Sequence, residues 1–182
     1  MRVAIVGGTG FIGSYLVDAL LRDGLHPVVM VRPGSESKLR HADHCSLVEG
    51  QLGDETATAK LVEGADAVIY NVGILREFPA RGITFNGLQY ESAKQVIDAA
   101  KRAKVKRFLL MSANGVKPTG TAYQRSKYAA EEYLANSGME YSIFRPSVVF
   151  GNPRGHMEFA TQLCRDIVLP PLPAPLFFTG FD

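Results

Sequence analysis

The chain has 182 residues, of which 46% are hydrophobic and 21% charged, and a formal net charge of +2. This composition supports one compact core and excludes a disordered chain. The small charge, with no basic stripe interleaved with exposed aromatics, argues against a nucleic-acid partner.

Residues 2–13, RVAIVGGTGFIG, run from an apolar strand into Gly7, Gly10 and Gly13, spaced G-x-x-G-x-x-G. Glycines so placed allow a tight turn, bring a helix N-terminus close to the strand, and leave amide N–H groups for a diphosphate. The preceding strand, the following amphipathic helix and a second strand ending near residue 31 favour a dinucleotide site over an ordinary turn. Thr9 brings a hydroxyl to this turn, either to the phosphates or to the turn itself. The helix spans residues 11–23, with Ile12, Tyr15, Leu16, Ala19 and Leu20 on one face and Gly24 as its stop.

The second strand, residues 26–31, is followed by Arg32, Ser35 and Lys38. An acidic residue there would hold both ribose hydroxyls and repel a 2′-phosphate. Arg32 instead favours NADP(H), with NAD(H) the alternative, because an arginine can also stack on adenine or simply end the strand in solvent. His41, His44 and Cys45 follow, but without a fourth spaced ligand they are expected to form a solvated loop, and no metal site is expected.

Further buried strands are expected at 46–49, 66–72, 106–112 and 140–145, with helices at 88–103 and 122–136. This alternation requires crossovers, hence an α/β fold with a doubly wound parallel sheet, the Rossmann arrangement. The basic run Lys101 to Arg107 falls at a helix C-terminus, where cations complement the dipole. Glu131 and Glu132 are expected on the solvated face of the last of these helices.

Tyr123 and Lys127 open that helix as Y-Q-R-S-K. At i, i+4 they share one face, so the ammonium is expected to favour the ionised phenol, which then exchanges a proton with a substrate oxygen. Ser112 ends the preceding strand at the sheet edge where ligands of such folds bind, either to bond the same oxygen or to cap the chain. Asn152, Arg154 and His156 form a polar cluster that either meets a substrate anion or is an ordinary loop. Residues 1–155 are expected to form the cofactor domain. Residues 156–182, a helix over 156–169 and a proline-rich arm, are expected to begin a substrate-binding region.

GGTGFIG, the N-V-G of Asn71 to Gly73, MSANG, YQRSKYAAEEYL and RPSVVFGNP together resemble the extended and atypical short-chain dehydrogenase/reductase superfamily. The likeness is to the group around the accessory NAD(P)-binding subunit of respiratory complex I and to nucleotide-sugar epimerases. It implies Tyr123 as general acid/base, Lys127 on the nicotinamide ribose, and Ser112 on the substrate carbonyl. It implies Gly7, Thr9, Gly10, Phe11, Ile12 and Gly13 around the diphosphate, and Gln51 and Leu52 against adenine. Val72, Gly73 and Ile74 would lie toward the ribose, and Pro146, Val148 and Val149 under the nicotinamide. Gln51 stands where the family commonly has aspartate, and Gln89 roughly where many relatives have asparagine. Relatives usually continue for about another hundred residues, in keeping with ordinary domain sizes, so the substrate-binding region is expected to be short or truncated.

The expected activity is hydride and proton transfer at a carbonyl or hydroxyl carbon of a small-molecule or nucleotide-sugar substrate. The alternative is a non-catalytic, cofactor-loaded structural or redox-sensing subunit, with association into a homodimer or a respiratory complex. No apolar stretch approaches a membrane span, and the first strand begins at Arg2 with no signal-peptide pattern before it. A cytoplasmic protein with reduced Cys45 and Cys164 is therefore expected.

Overall fold

The computed structural model describes residues 1–152, Arg154 and Arg165. The chain divides into two compact units, Met1–Ser147 and Val148–Asp182. The helix and proline-rich arm expected after residue 155 lie outside the described residues.

In the first unit six strands alternate with helices. These are β1 (Arg2–Val6), α1 (Phe11–Arg22), β2 (His26–Val31), β3 (Ser46–Glu49), α2 (Glu55–Val62), β4 (Ala67–Tyr70), α3 (Ser92–Arg102), β5 (Arg107–Met111), α4 (Ala122–Ala135) and β6 (Glu140–Phe144). All neighbouring strands pair in parallel, in the order β3-β2-β1-β4-β5-β6. That is the doubly wound order 3-2-1-4-5-6, whose switch point lies between the first and fourth strands.

Alternation along each strand assigns the two faces. Ala4, Val6, Val28, Met30, Val68, Tyr70, Phe108 and Leu110 form one core with apolar residues of α2, α3 and α4. Val3, Ile5, Val29, Val31 and Ile69 form the other with α1. Strands β1, β2 and β4, buried on both sides, read as continuous apolar runs, whereas the edge strands β3 and β6 are only partly covered.

The helix expected over 88–103 begins instead with a π-helical turn, Asn86–Glu91, and becomes α-helical at Ser92. Tyr70, buried under this turn, donates its hydroxyl to the Leu88 carbonyl at 2.5 Å. The short helix α2 has no counterpart among the expected helices. Its sequence ETATAKLV is brief and carries β-branched threonines, and it is started by the Asp54 carboxylate, which accepts from the Ala57 amide at 2.9 Å. Lys101 and Arg102 occupy the last turn of α3. Among the described residues no helix is long and apolar enough to cross a membrane.

Candidate functional site

The loop after β1 is shaped by backbone contacts that exclude side chains. Gly7 has φ +86, and a Cβ there would lie 2.4 Å from the Asn71 carbonyl oxygen. A Cβ on Gly13, inside α1, would lie 2.1 Å from the Gly7 carbonyl oxygen. Gly8, which the spacing rule passed over, is just as confined, since its Cβ would stand 2.6 Å from Val29. Gly10 differs, because a Cβ there would meet only the Gly7 oxygen at 3.5 Å. Among the described residues the space beside Gly10 is therefore left clear.

Gly10 is also the N-cap of α1, so this helix has no side-chain cap, and its first turn contains no acidic residue. By contrast, α2 and α4 are capped by Asp54 and Thr121. An uncapped helix N-terminus beside a glycine cradle fits a diphosphate, with the amides of Phe11, Ile12 and Gly13 as donors and Thr9 on the adjoining turn.

The strand ends beside this turn carry the other residues that the sequence singled out. Arg32 and Lys38 are exposed just past β2, whereas Ser35 between them is buried. The Gly50 amide donates to the Val31 carbonyl at 2.9 Å, which brings the loop after β3, with exposed Gln51 and half-buried Leu52, beside Arg32. Asn71 follows β4 and donates from its amide side chain to the Gly7 carbonyl at 3.4 Å.

Lys127 ties two strand ends together. Its Nζ donates to the Val72 carbonyl at 2.9 Å and to the Met111 carbonyl at 2.7 Å, and a Cβ on Gly73 would lie 3.6 Å from it. The side chain is only 4% exposed. Burial lowers its pKa from 10.5 to about 8, with the Glu131 charge opposing that shift.

Ser112, the residue after Met111, is likewise 4% exposed, and its buried Oγ has no hydrogen-bond partner among the described residues. Its amide donates to the Phe144 carbonyl at 2.8 Å. A hydroxyl stranded in this way costs about 1–3 kcal/mol, which a water or a ligand atom at the strand end would relieve.

Tyr123 lies one turn before Lys127. The start of α4 is fixed by a capping box: Gln124 N–H donates to Thr121 Oγ1 at 3.3 Å and Thr121 N–H to Gln124 Oε1 at 2.8 Å. Gln124 Nε2 also donates to the Gly115 carbonyl at 2.8 Å, which anchors the loop between Ser112 and the helix. The half-buried Tyr123 ring meets Phe85 edge-on at 5.6 Å. Burial raises the phenol pKa. The lowering expected from Lys127 is not among its causes, and two donors of that ammonium are committed to Val72 and Met111.

Gln89 is 1% exposed and works as a strut. Its Nε2 donates to the Ile74 carbonyl at 3.1 Å, and its Oε1 accepts from Ser126 Oγ at 2.8 Å, joining the π-helical turn, the loop after β4 and α4. Pro146 is half-buried, and its carbonyl accepts from the Asn114 amide at 2.8 Å. Val148 and Val149 belong to the second unit. In that unit the Arg154 amide donates to Asn152 Oδ1 at 3.0 Å, and His156 lies outside the described residues.

Glu131 corrects the reading of α4. It is 2% exposed rather than solvated, and it holds Arg145, just past β6, through Nε at 2.9 Å and also through NH2.

The remaining candidates stay apart from this edge. His41 approaches Asp18 at 3.8 Å and His44 approaches Asp43 at 3.2 Å. Among the described residues no group of three or more His, Cys, Asp or Glu is placed to hold a metal ion. A charged groove of about 680 Å³ runs along α2 and the end of α3, lined by Glu55, Lys60, Glu63 and Arg102, away from the strand ends.

The buried ammonium has a thermodynamic consequence. Below pH 8 both folded and unfolded chains hold the Lys127 proton, above 10.5 neither does, and between these values only the unfolded chain binds it. Stability therefore rises with pH across that window. Urea denaturation should show wild type gaining ~1–3 kcal/mol over Lys127→Met as pH increases through it, and a flat difference would contradict the burial effect.

The family model described as NAD(P)H-binding matches residues 7–163. A ceramide reductase of Caulobacter vibrioides is 32% identical over 149 residues, covering 82% of this chain and 46% of its own length. A mitochondrial NADH dehydrogenase [ubiquinone] 1 alpha subcomplex subunit 9 of Arabidopsis thaliana is 30% identical, covering 81% of this chain and 38% of its own length. The chain thus spans less than half the length of these relatives. Among solved structures, Bordetella bronchiseptica WbmH in complex with NAD+ has a TM-score of 0.70 at 25% identity, covering 82% of this chain and 56% of that one. UDP-glucuronic acid 4-epimerase from Bacillus cereus, in complex with NAD, has a TM-score of 0.73 at 20% identity, covering 92% and 62%, and shares the fold.

Proposed function

Because this chain belongs to the NAD(P)H-binding family, we propose that it forms the cofactor half of an NADP(H)-preferring oxidoreductase or nucleotide-sugar epimerase/dehydratase, with Ser112, Tyr123 and Lys127 at the reacting oxygen. The observation that carries this reading is the buried, unpartnered Ser112 Oγ, one residue beyond the carbonyl that holds Lys127.

Gly7, Thr9, Gly10 and the first turn of α1, Phe11, Ile12 and Gly13, would hold the diphosphate, where dipole and free amides favour negative charge. Gln51 and Leu52 flank the adenine, and Val72, Gly73 and Ile74 line the way to the nicotinamide ribose. Pro146 supports the nicotinamide end. Arg32 and Lys38, with Ser35, take the 2′-phosphate.

A bound nicotinamide would supply hydride exchange with the substrate carbon. Tyr123 moves the proton of the substrate oxygen, and Ser112 Oγ donates a hydrogen bond to that oxygen. Lys127 keeps one N–H beyond those on Val72 and Met111 for the ribose, and it holds the helix carrying Tyr123 against the strand ends. A phenol whose burial favours the protonated form suits proton donation, hence reduction of a carbonyl.

The test is NADPH oxidation by the protein over a panel of aldehydes, ketones, ceramide-type lipids and nucleotide sugars. Turnover supports this reading. Tight cofactor retention without turnover supports the second reading, a non-catalytic subunit, which the 30% identity to a complex I subunit favours. The cofactor preference has a separate test. Arg32→Asp should weaken NADPH binding about 10- to 100-fold more than NADH binding, the value of a charge-assisted phosphate contact. Equal losses for both cofactors would remove the 2′-phosphate assignment.

A further inference from the structure

The ion pair between buried Glu131 and exposed Arg145 has no part in the chemistry proposed above, yet it lies one helix turn from Lys127. Glu131 follows Lys127 by four residues on α4, so both side chains occupy the inward face, one turn apart. Arg145, just past β6, grips both carboxylate oxygens of Glu131.

The groups around Lys127 make this arrangement informative. From β4 and β5 the ammonium meets the carbonyls of Val72 and Met111, which are neutral. From its own helix it shares a face with Tyr123 and Glu131. Behind Glu131 stands Arg145, whose guanidinium also feels Tyr128. An ammonium held almost out of water by neutral acceptors tends to lose its proton. A carboxylate one turn away counters that tendency, and the Arg145 fork, which matches a carboxylate in two places, fixes where that carboxylate sits.

We propose that Glu131 and Arg145 are positioning residues of the Tyr123/Lys127 site: Arg145 fixes the Glu131 carboxylate on the inward face of α4, and Glu131 keeps the Lys127 ammonium charged between the ends of β4 and β5. The proposal rests on the assignment of Lys127 to the reactive site, but its test reads Lys127 directly and needs no turnover.

The experiment follows the Lys127 Cε–Nζ resonance by NMR in labelled protein without substrate, assigned by its loss in Lys127→Arg. Glu131→Gln should lower the titration midpoint by about one pH unit, while Glu132→Gln, a change at the neighbouring position, should leave it in place. Glu131→Gln leaves Arg145 without its partner, and where that variant does not fold, the paired change Glu131→Gln with Arg145→Gln removes both charges together. It should show a downward shift smaller than that of Glu131→Gln alone, because losing the exposed Arg145 charge acts in the opposite sense. Arg145→Lys should keep the wild-type midpoint or move it less. A midpoint unchanged in whichever Glu131→Gln protein folds would overturn the proposal, whatever the outcome for Tyr123. A loss of turnover on Tyr123→Phe with an unmoved Lys127 midpoint would leave the proposed function standing and remove only the role of Glu131.

Discussion

Tyr123→Phe should lower turnover about 10²- to 10⁴-fold, the range over which one positioned acid or base acts, while leaving NADPH affinity nearly intact. The substitution removes one hydroxyl. It keeps the ring and its edge contact with Phe85, and it leaves untouched the capping box of Thr121 and Gln124 that starts α4. Lys127 keeps its bonds to Val72 and Met111, so the strand ends should not move. An interaction made only in the transition state lowers kcat and kcat/KM together, and initial rates of NADPH oxidation at varied substrate would show that pattern. Turnover equal to wild type would sink the mechanism. A fall in cofactor affinity of the same size as the fall in rate would give Tyr123 a binding role instead.

The glycines of the first loop give the second large effect, because two of them face opposite constraints. Gly13→Ala places a methyl 2.1 Å from the Gly7 carbonyl oxygen and 2.7 Å from Gly8, both backbone, so the loop or the helix must move. A loss of ~2–3 kcal/mol is expected from such overpacking, seen as a thermal midpoint lowered by roughly 5–10 °C for a chain of this size. Gly10→Ala has its nearest neighbour at 3.5 Å and a backbone at φ −88, ψ 178, which any residue adopts. Its loss should stay within ~1 kcal/mol, the difference between glycine and alanine at an N-cap. Parallel unfolding scans decide the matter, and equal destabilisation of the two variants would contradict the view that Gly10 is kept small for something other than the fold.

The parts of the molecule that were readable from sequence are those whose physics is local. Strands buried on both faces, such as AIV of β1 and VVMV of β2, are unbroken apolar runs, and the glycine turn between β1 and α1 has a fixed spacing. Tyr123 and Lys127 were visible because one helix turn separates them. The rest depended on distant partners. Glu131 lies at helical spacing from Lys127, which was a usable signal, but Arg145 comes from another strand end, and without it a buried glutamate is the less natural reading. Gly8 was passed over because its constraint is the Val29 side chain across the sheet face, not the turn. The π-helical turn keeps an apolar rhythm close enough to α-helix to hide within residues 88–103, and only the Tyr70 hydroxyl beneath Leu88 distinguishes it. Nor does a sequence reveal that Ser112 Oγ has no partner, since that follows from what surrounds it in space.

Titration of NADPH into wild type and Gly10→Ala, followed by nicotinamide fluorescence, tests the site most directly. Saturable one-to-one binding is expected for wild type, with affinity at least about tenfold weaker in Gly10→Ala, as a methyl pressed against a diphosphate requires. Equal affinity of the two proteins for NADPH, or none in either, would contradict the placement of the cofactor over the first turn of α1.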